Sequence, residues 1–261
     1  DAGSVNLGWG RAGSPLVVDD LCIVSAGGDD GRSLIAYDKH SGEIRWSAGD
    51  DISSYSSPID ATLAGERQVL VVNQDYLVGH RLSDGEVLWK YDWPGNSNAN
   101  ASASQPVPVG GDRVFISKGY GIGCRLLEIV SDDQENFAVD EVWRSPGSLR
   151  TKYANVVIDD GFVYGLNQTI LECVDLKTGE RRWRGGRYGG GQILLAGDTL
   201  VVVSEAGEVA LVEATPEGYR ELESFQAIEG KTWNNPALSG PYLLVRNHQE
   251  AACYKLPTMK R

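Results

Sequence analysis

A phrase of 13 residues recurs along the chain, and its spacing constrains the fold more than any other feature. Leu34-Ile-Ala-Tyr-Asp-Lys-His-Ser-Gly-Glu-Ile-Arg-Trp46 aligns without gaps with Leu77-Val-Gly-His-Arg-Leu-Ser-Asp-Gly-Glu-Val-Leu-Trp89 and with Leu171-Glu-Cys-Val-Asp-Leu-Lys-Thr-Gly-Glu-Arg-Arg-Trp183. All three end in Gly-Glu-x-x-Trp. A looser copy runs from Leu126 to Trp143 around an enlarged turn, Ser131 to Asn136, and another starts at Val209-Ala-Leu-Val and closes near Phe225. The closing aromatics Trp46, Trp89, Trp143, Trp183 and Phe225 are spaced by 43, 54, 40 and 42 residues. A period of roughly 40–45 residues belongs to a propeller or a helical solenoid.

The content of each unit decides for the propeller. Apolar and polar residues alternate over short runs such as Arg113–Ser117, Phe162–Leu166 and Leu200–Ser204, which is the strand period. Helical spacing sustained over 11 or more residues is absent. The unit at 154–186 reads as four strands joined by short turns, with Asp159-Asp160-Gly161 as a hairpin turn and Lys177-Thr178-Gly179 as the last one. A four-stranded antiparallel meander is the blade of a β-propeller. The expected fold is therefore all-β: a single propeller domain over 1–261, with complete blades near 14–49, 57–94, 104–147, 154–186 and 191–228. A partial sixth blade spans 235–257. Residues Ser4 to Trp9 are the expected source of its fourth strand, or else the chain is part of a larger ring. An unclosed sheet edge would invite homo-oligomerisation or completion by another chain.

The net charge of −12 argues against a nucleic-acid partner, because phosphate needs compensating Lys and Arg. No apolar run approaches the roughly 18 residues of a membrane span. The start, Asp1-Ala2-Gly3-Ser4, shows no signal peptide, so the sequence reads as cytosolic or as a mature or trimmed form. Cys22, Cys124, Cys173 and Cys253 are widely spaced and read as buried thiols on strands. His40, His80 and His248 are scattered and make no metal set. Gly119-Tyr-Gly121-Ile-Gly123 lacks the following helix of a phosphate cradle, and Asp29-Asp30-Gly31 lacks the ligand spacing of a calcium loop.

The motif Ala36-Tyr37-Asp38-Lys39-His40-Ser41-Gly42-Glu43-Ile44-Arg45-Trp46, repeated from Val174-Asp175 through Thr178-Gly179 to Trp183, resembles the pyrroloquinoline-quinone-like β-propeller repeat family. The resemblance covers nearly the whole chain. It is strongest to exported members common in planctomycete-type bacteria, through Tyr55-Ser56-Ser57-Pro58, Arg184–Gly189, Glu213–Tyr219 and Lys231-Thr232-Trp233-Asn234. It implies a periplasmic or secreted location and a ring of eight blades. Gly42, Gly85 and Gly179, with Trp46, Trp89, Trp143 and Trp183, are structural in this reading: the glycine takes a positive-φ turn and the indole packs between blades.

In a meander blade the first strand is innermost, so the loops between blades share one end with the second-to-third-strand turns. That end is where function is expected. It holds Arg11, Tyr55, Asn100, Lys118, Lys152, Tyr153, Arg187, Tyr188, Lys231, Trp233, Asn234, Arg246 and Asn247, cations set beside aromatics and amides. Such a funnel suits an anionic or polyhydroxylated ligand. The leading expectation is a non-enzymatic scaffold or binding module for a protein partner or a carbohydrate-like ligand, without a cofactor, as in the propeller lipoprotein of outer-membrane protein assembly that the repeat resembles. One alternative is a quinoprotein dehydrogenase oxidising an alcohol or sugar with pyrroloquinoline quinone and Ca²⁺. That family resembles longer chains with adjacent cysteines and an Asp/Glu/Asn set, which this sequence does not match. The other alternative is a propeller hydrolase or lyase.

Overall fold

The computed structural model describes residues 3–257, and these contain strands and no helix. Five sheets have four antiparallel strands in sequence order and the sixth has three, the blades of a β-propeller. Blade 1 is β1 (Leu16–Val18), β2 (Leu21–Ser25), β3 (Leu34–Asp38) and β4 (Ile44–Ala48); blade 2 is β5 (Ile59–Leu63), β6 (Glu66–Val72), β7 (Tyr76–Arg81) and β8 (Val87–Asp92). Blade 3 is β9 (Val107–Gly110), β10 (Arg113–Lys118), β11 (Gly123–Ser131) and β12 (Phe137–Ser145). Blade 4 is β13 (Val157–Asp159), β14 (Phe162–Asn167), β15 (Ile170–Asp175) and β16 (Arg181–Arg187). Blade 5 is β17 (Gln192–Ala196), β18 (Thr199–Val203), β19 (Glu208–Glu213) and β20 (Glu221–Gln226), and blade 6 is β21 (Ala237–Ser239), β22 (Tyr242–Arg246) and β23 (Ala251–Lys255). Contrary to the expectation for the sixth blade, Ser4–Trp9 forms no strand; its local structure is a turn closed by Gly10 N–H donating to Leu7 O.

Two compact units divide the chain, Asp1–Tyr120 with Cys124–Arg144, and Gly121–Gly123 with Ser145–Arg261. In the first, Ile23, Leu34, Ala36, Trp46, Val69 and Leu82 form a buried cluster from blades 1 and 2. In the second, Tyr164, Leu171, Trp183, Leu200, Val202 and Val212 do the same for blades 4 and 5. The repeat residues explain both. Asp38 Oδ1 accepts the N–H of His40 (2.9 Å) and Ser41 (2.8 Å), and Asp175 Oδ1 accepts those of Lys177 (2.9 Å) and Thr178 (3.1 Å), so the aspartate folds the turn before the glycine. The same N–H groups of Ser41 and His40 hold the Asp38 carboxyl below its ordinary range.

The tryptophans then tie blades together. Trp46 donates its indole N–H to Leu82 O of the next blade (3.1 Å), and Trp183 donates to Thr215 O of the next (2.6 Å). Trp89 departs from this pattern: its N–H meets Gln68 Oε1 at 2.7 Å within its own blade, with the ring lying over Gly79. Burying one such side chain contributes roughly 1.5–3 kcal/mol. A β-bulge recurs at one place in four blades. The third-to-fourth-strand register shifts between Ala36 and Tyr37, Gly79 and His80, Cys173 and Val174, and Leu211 and Val212. A bulge increases local twist, which a blade needs.

Candidate functional site

In each unit the inter-blade loops bond to second-to-third-strand turns. In the first unit Ser53 bridges Asn73, and Gln74 N–H donates to Ile52 O (2.8 Å). In the second unit the bonds run in series: Gln168 N–H to Arg150 O (3.1 Å), Tyr188 N–H to Thr169 O (2.8 Å), Glu205 N–H to Tyr188 O (2.8 Å), and Thr232 N–H to Glu205 O (2.9 Å). This ladder of main-chain bonds fixes the loops that carry the side chains of interest.

The best-organised constellation lies in the second unit. Tyr153 and Trp233 are 41% and 43% exposed, and their rings lie 5.0 Å apart at 35°. Two buried or half-buried polar side chains pin the loops beneath them. Gln192, at the start of β17, donates from Nε2 to Tyr153 O (3.1 Å) and to Trp233 O (2.9 Å). Glu205 accepts the Trp233 indole N–H on Oε1 (2.9 Å) and the Gly190 N–H on Oε2 (3.1 Å). The Gly190 N–H, then the indole N–H and the charges of Lys231 and Lys152, hold the Glu205 carboxyl below its ordinary range. Gly190 packs closely against the two rings: a Cβ there would sit 3.3 Å from both the Trp233 Nε1 and the Tyr153 ring, so these neighbours would have to give by a few tenths of an ångström. Lys231 Nζ lies 4.6 Å from the Trp233 ring centroid, a cation–π contact.

Of the residues expected at the functional end, Lys152, Tyr153, Lys231 and Trp233 therefore meet in one patch. Asn234 follows as a half-buried neighbour in sequence, and Arg187 and Arg246 end β16 and β22 as exposed side chains. Three expected ligand-facing residues are inside the protein instead. Tyr188 is 4% exposed, and its hydroxyl bonds Tyr219 and Glu221, each at 2.7 Å. Asn247, 5% exposed, donates to Glu229 O (2.7 Å) and accepts the N–H groups of Gln249 and Glu250, which makes it a turn cap. Lys118, 1% exposed, donates to Pro94 O at 3.1 Å, and burial lowers its pKa to about 8. In the first unit Tyr55 donates to Ser97 O (2.8 Å) and packs on Trp9 at 5.8 Å, Asn100 closes a turn through its carbonyl, and Arg11 donates to Ser53 Oγ (2.8 Å) and Val5 O (3.1 Å).

Gln192 and Gly190 organise the patch together with Glu205 and were not among the expected site residues. The run Gly189-Gly190-Gly191 was their available signal, since three glycines beside a strand mark close approach of other groups. His80 is wholly buried: Nδ1 lies 2.9 Å from Gly85 O, and burial lowers its pKa. All four cysteines are free thiols; Cys124 and Cys173 are buried as expected, whereas Cys22 is half-buried and Cys253, on the last strand of the three-stranded sheet, is exposed. Among the described residues, no three His, Cys, Asp or Glu side chains are grouped to hold a metal ion.

Blades of this repeat, with loops built in this way, define a pyrroloquinoline-quinone-like β-propeller. The profile of the family described as outer membrane protein assembly factor BamB matches residues 6–185, and the chain belongs to that family. Among solved structures it is similar to BamB from Moraxella catarrhalis, with 15% identity over 93% of this chain and 84% of that one, and a TM-score of 0.55. It is also similar to the quinohemoprotein alcohol dehydrogenase from Comamonas testosteroni, with 13% identity over 94% of this chain and 52% of that one, and a TM-score of 0.63. The computationally designed Ika8 protein matches with 9% identity over 94% of this chain and 70% of that one, and a TM-score of 0.66. These identities carry the fold alone, and a designed protein, a dehydrogenase and an assembly factor share it. No curated protein matches the sequence.

Proposed function

We propose that the chain is an exported, periplasmic or secreted binding module that docks a protein partner through the patch of Tyr153, Trp233, Lys152 and Lys231, without catalysing a reaction. The observation that carries this reading is the pinning of two exposed aromatic rings. Exposed aromatics are the commonest anchors of protein interfaces. Here Gln192 and Glu205 already hold their loops, so little ordering remains to be done on binding. Tyr153 and Lys231 both lie against the indole, which favours a partner that packs around a knob over a sugar that stacks on an open ring. Membership of a family described as an outer-membrane protein assembly factor supports a protein partner. The lysines favour one with acidic groups around an apolar pocket.

The test is co-purification from envelope extract, comparing the wild type with Trp233→Ala, Tyr153→Ala and Lys231→Ala. A stoichiometric protein is expected with the wild type. Trp233→Ala should weaken its binding by about 2 kcal/mol or more, roughly thirtyfold, and Lys231→Ala by less. Equal capture by all variants would refute the assignment of the patch. The dehydrogenase alternative rests on the fold shared with the quinohemoprotein enzyme. It requires a midpoint shift of about 5–11 °C with pyrroloquinoline quinone and Ca²⁺ at roughly 100 times the dissociation constant, together with dye reduction. Neither is expected.

A further inference from the structure

The first unit contains a pocket of about 220 Å³ between the Gly13–Pro15 segment, β2 and the Ser54–Pro58 segment. Its lining is selective in kind. Arg11 is its one charged residue, Ser14, Ser25, Ser54 and Ser56 are its serines, and Pro15, Val24 and Pro58 supply apolar wall. No carboxylate lines it. Two acids of the same unit are engaged elsewhere: Asp50 accepts the Gly31 N–H at 2.7 Å, and Asp51 pairs with Lys90 at 2.9 Å.

The donors of Arg11 are not used up. Arg11 spends two N–H groups on neutral oxygens, Ser53 Oγ and Val5 O, and among the described residues no carboxylate reaches it. A guanidinium has five N–H donors, so three remain. Ser54 is satisfied: its hydroxyl donates to Val72 O and accepts the Ser56 N–H at 3.2 Å. The hydroxyls of Ser25 and Ser56, by contrast, are buried and have no hydrogen-bond partner, and Ser56 is 1% exposed. Those two oxygens are closed off from the cavity, so the donors that face an occupant are those of Arg11.

We propose that this pocket binds a carboxylate, with Arg11 as the charged donor. The planar fork of a guanidinium matches a carboxylate. A single cation balances one negative charge, which disfavours a phosphate dianion. The proline and valine wall accommodates a short aliphatic stem, and the volume limits the ligand to a few heavy atoms beyond the carboxylate. The carboxylate belongs either to a free small acid or to a Glu or Asp side chain of a bound peptide. The site uses residues other than those of the docking patch, so it stands if that reading fails.

The test is titration of the full chain by saturation-transfer NMR and calorimetry with acetate, glutarate and the capped peptide acetyl-Gly-Glu-Gly-amide. Acetamide and the Gln peptide serve as neutral counterparts. Saturable binding of a carboxylate probe with no binding of its amide is expected. Binding of acetate or glutarate assigns a free acid, and binding of the peptide alone assigns a protein-borne carboxylate. Arg11→Gln should weaken the probe at least about tenfold, in line with a charge-assisted hydrogen bond. Arg11→Lys should retain part of the affinity. Because Arg11 also holds the Val5 segment, each variant is checked by its unfolding midpoint. The amide comparison reads the proposal on the unmutated protein. Equal binding of acid and amide, unchanged affinity in Arg11→Gln, or no saturation by about 50 mM of any probe would overturn it.

Discussion

At the level of single residues, the repeat tryptophans do two jobs that separate substitutions can distinguish. Trp183 packs against Tyr164 and Tyr219, at 6.0 Å from each, and donates to Thr215 O. Trp183→Ala should cost about 3–5 kcal/mol in urea unfolding, as for other large-to-small core changes. Trp183→Phe keeps a ring, leaves the Thr215 carbonyl without this donor, and should cost about 1–3 kcal/mol. Lys118 makes a pH prediction. Burial brings its pKa from the ordinary 10.5 to about 8, with Asp75 opposing. Between those values the unfolded chain binds a proton that the folded protein does not, so stability should rise as pH climbs from about 8 to 10.5. Below pH 8 both states are protonated and the contribution is flat. Lys118→Met should abolish this rise in pH-dependent unfolding curves; a rise that persists in the variant would assign it to other groups.

The strands were largely legible in sequence, because alternation and turn glycines are local signals that tertiary packing reinforces. The Leu-to-Trp phrase foretold the last two strands of blades 1, 2 and 4, with their turns at Gly42, Gly85 and Gly179, all at positive φ. The recurring bulge before Asp38 and Asp175 was not legible, since nothing in the alternation of Ala36-Tyr37 or Cys173-Val174 marks a skipped partner. Nor was the difference between equivalent glycines. A Cβ on Gly42 meets nothing within 4 Å, whereas one on Gly85 would lie 2.4 Å from the Trp46 ring of the preceding blade. Gly42→Ala should therefore cost about 1 kcal/mol from the positive φ alone. Gly85→Ala should cost clearly more, because the indole must move. Equal losses of melting temperature would contradict the packing argument.

For the molecule as a whole, sequence order correctly located the loops but not the direction of their side chains. Lys152, Tyr153, Lys231 and Trp233 converge, whereas Tyr188, Lys118 and Asn247 lie in equally promising loop positions and turn inward to satisfy buried partners. Which way a loop side chain faces depends on what the neighbouring blade offers it, and that is a tertiary fact. With a net charge of −12, the chain attracts an acidic partner only at close range, where Lys152 and Lys231 act locally. The most direct measurement is photo-crosslinking, with a photoreactive phenylalanine analogue placed at position 233 and, as a control, at position 44, where Ile44 is 61% exposed beside the Gly42 turn. One dominant protein adduct is expected from position 233 and none of it from position 44. The same adduct from both positions, or from position 44 alone, would contradict the assignment of the patch.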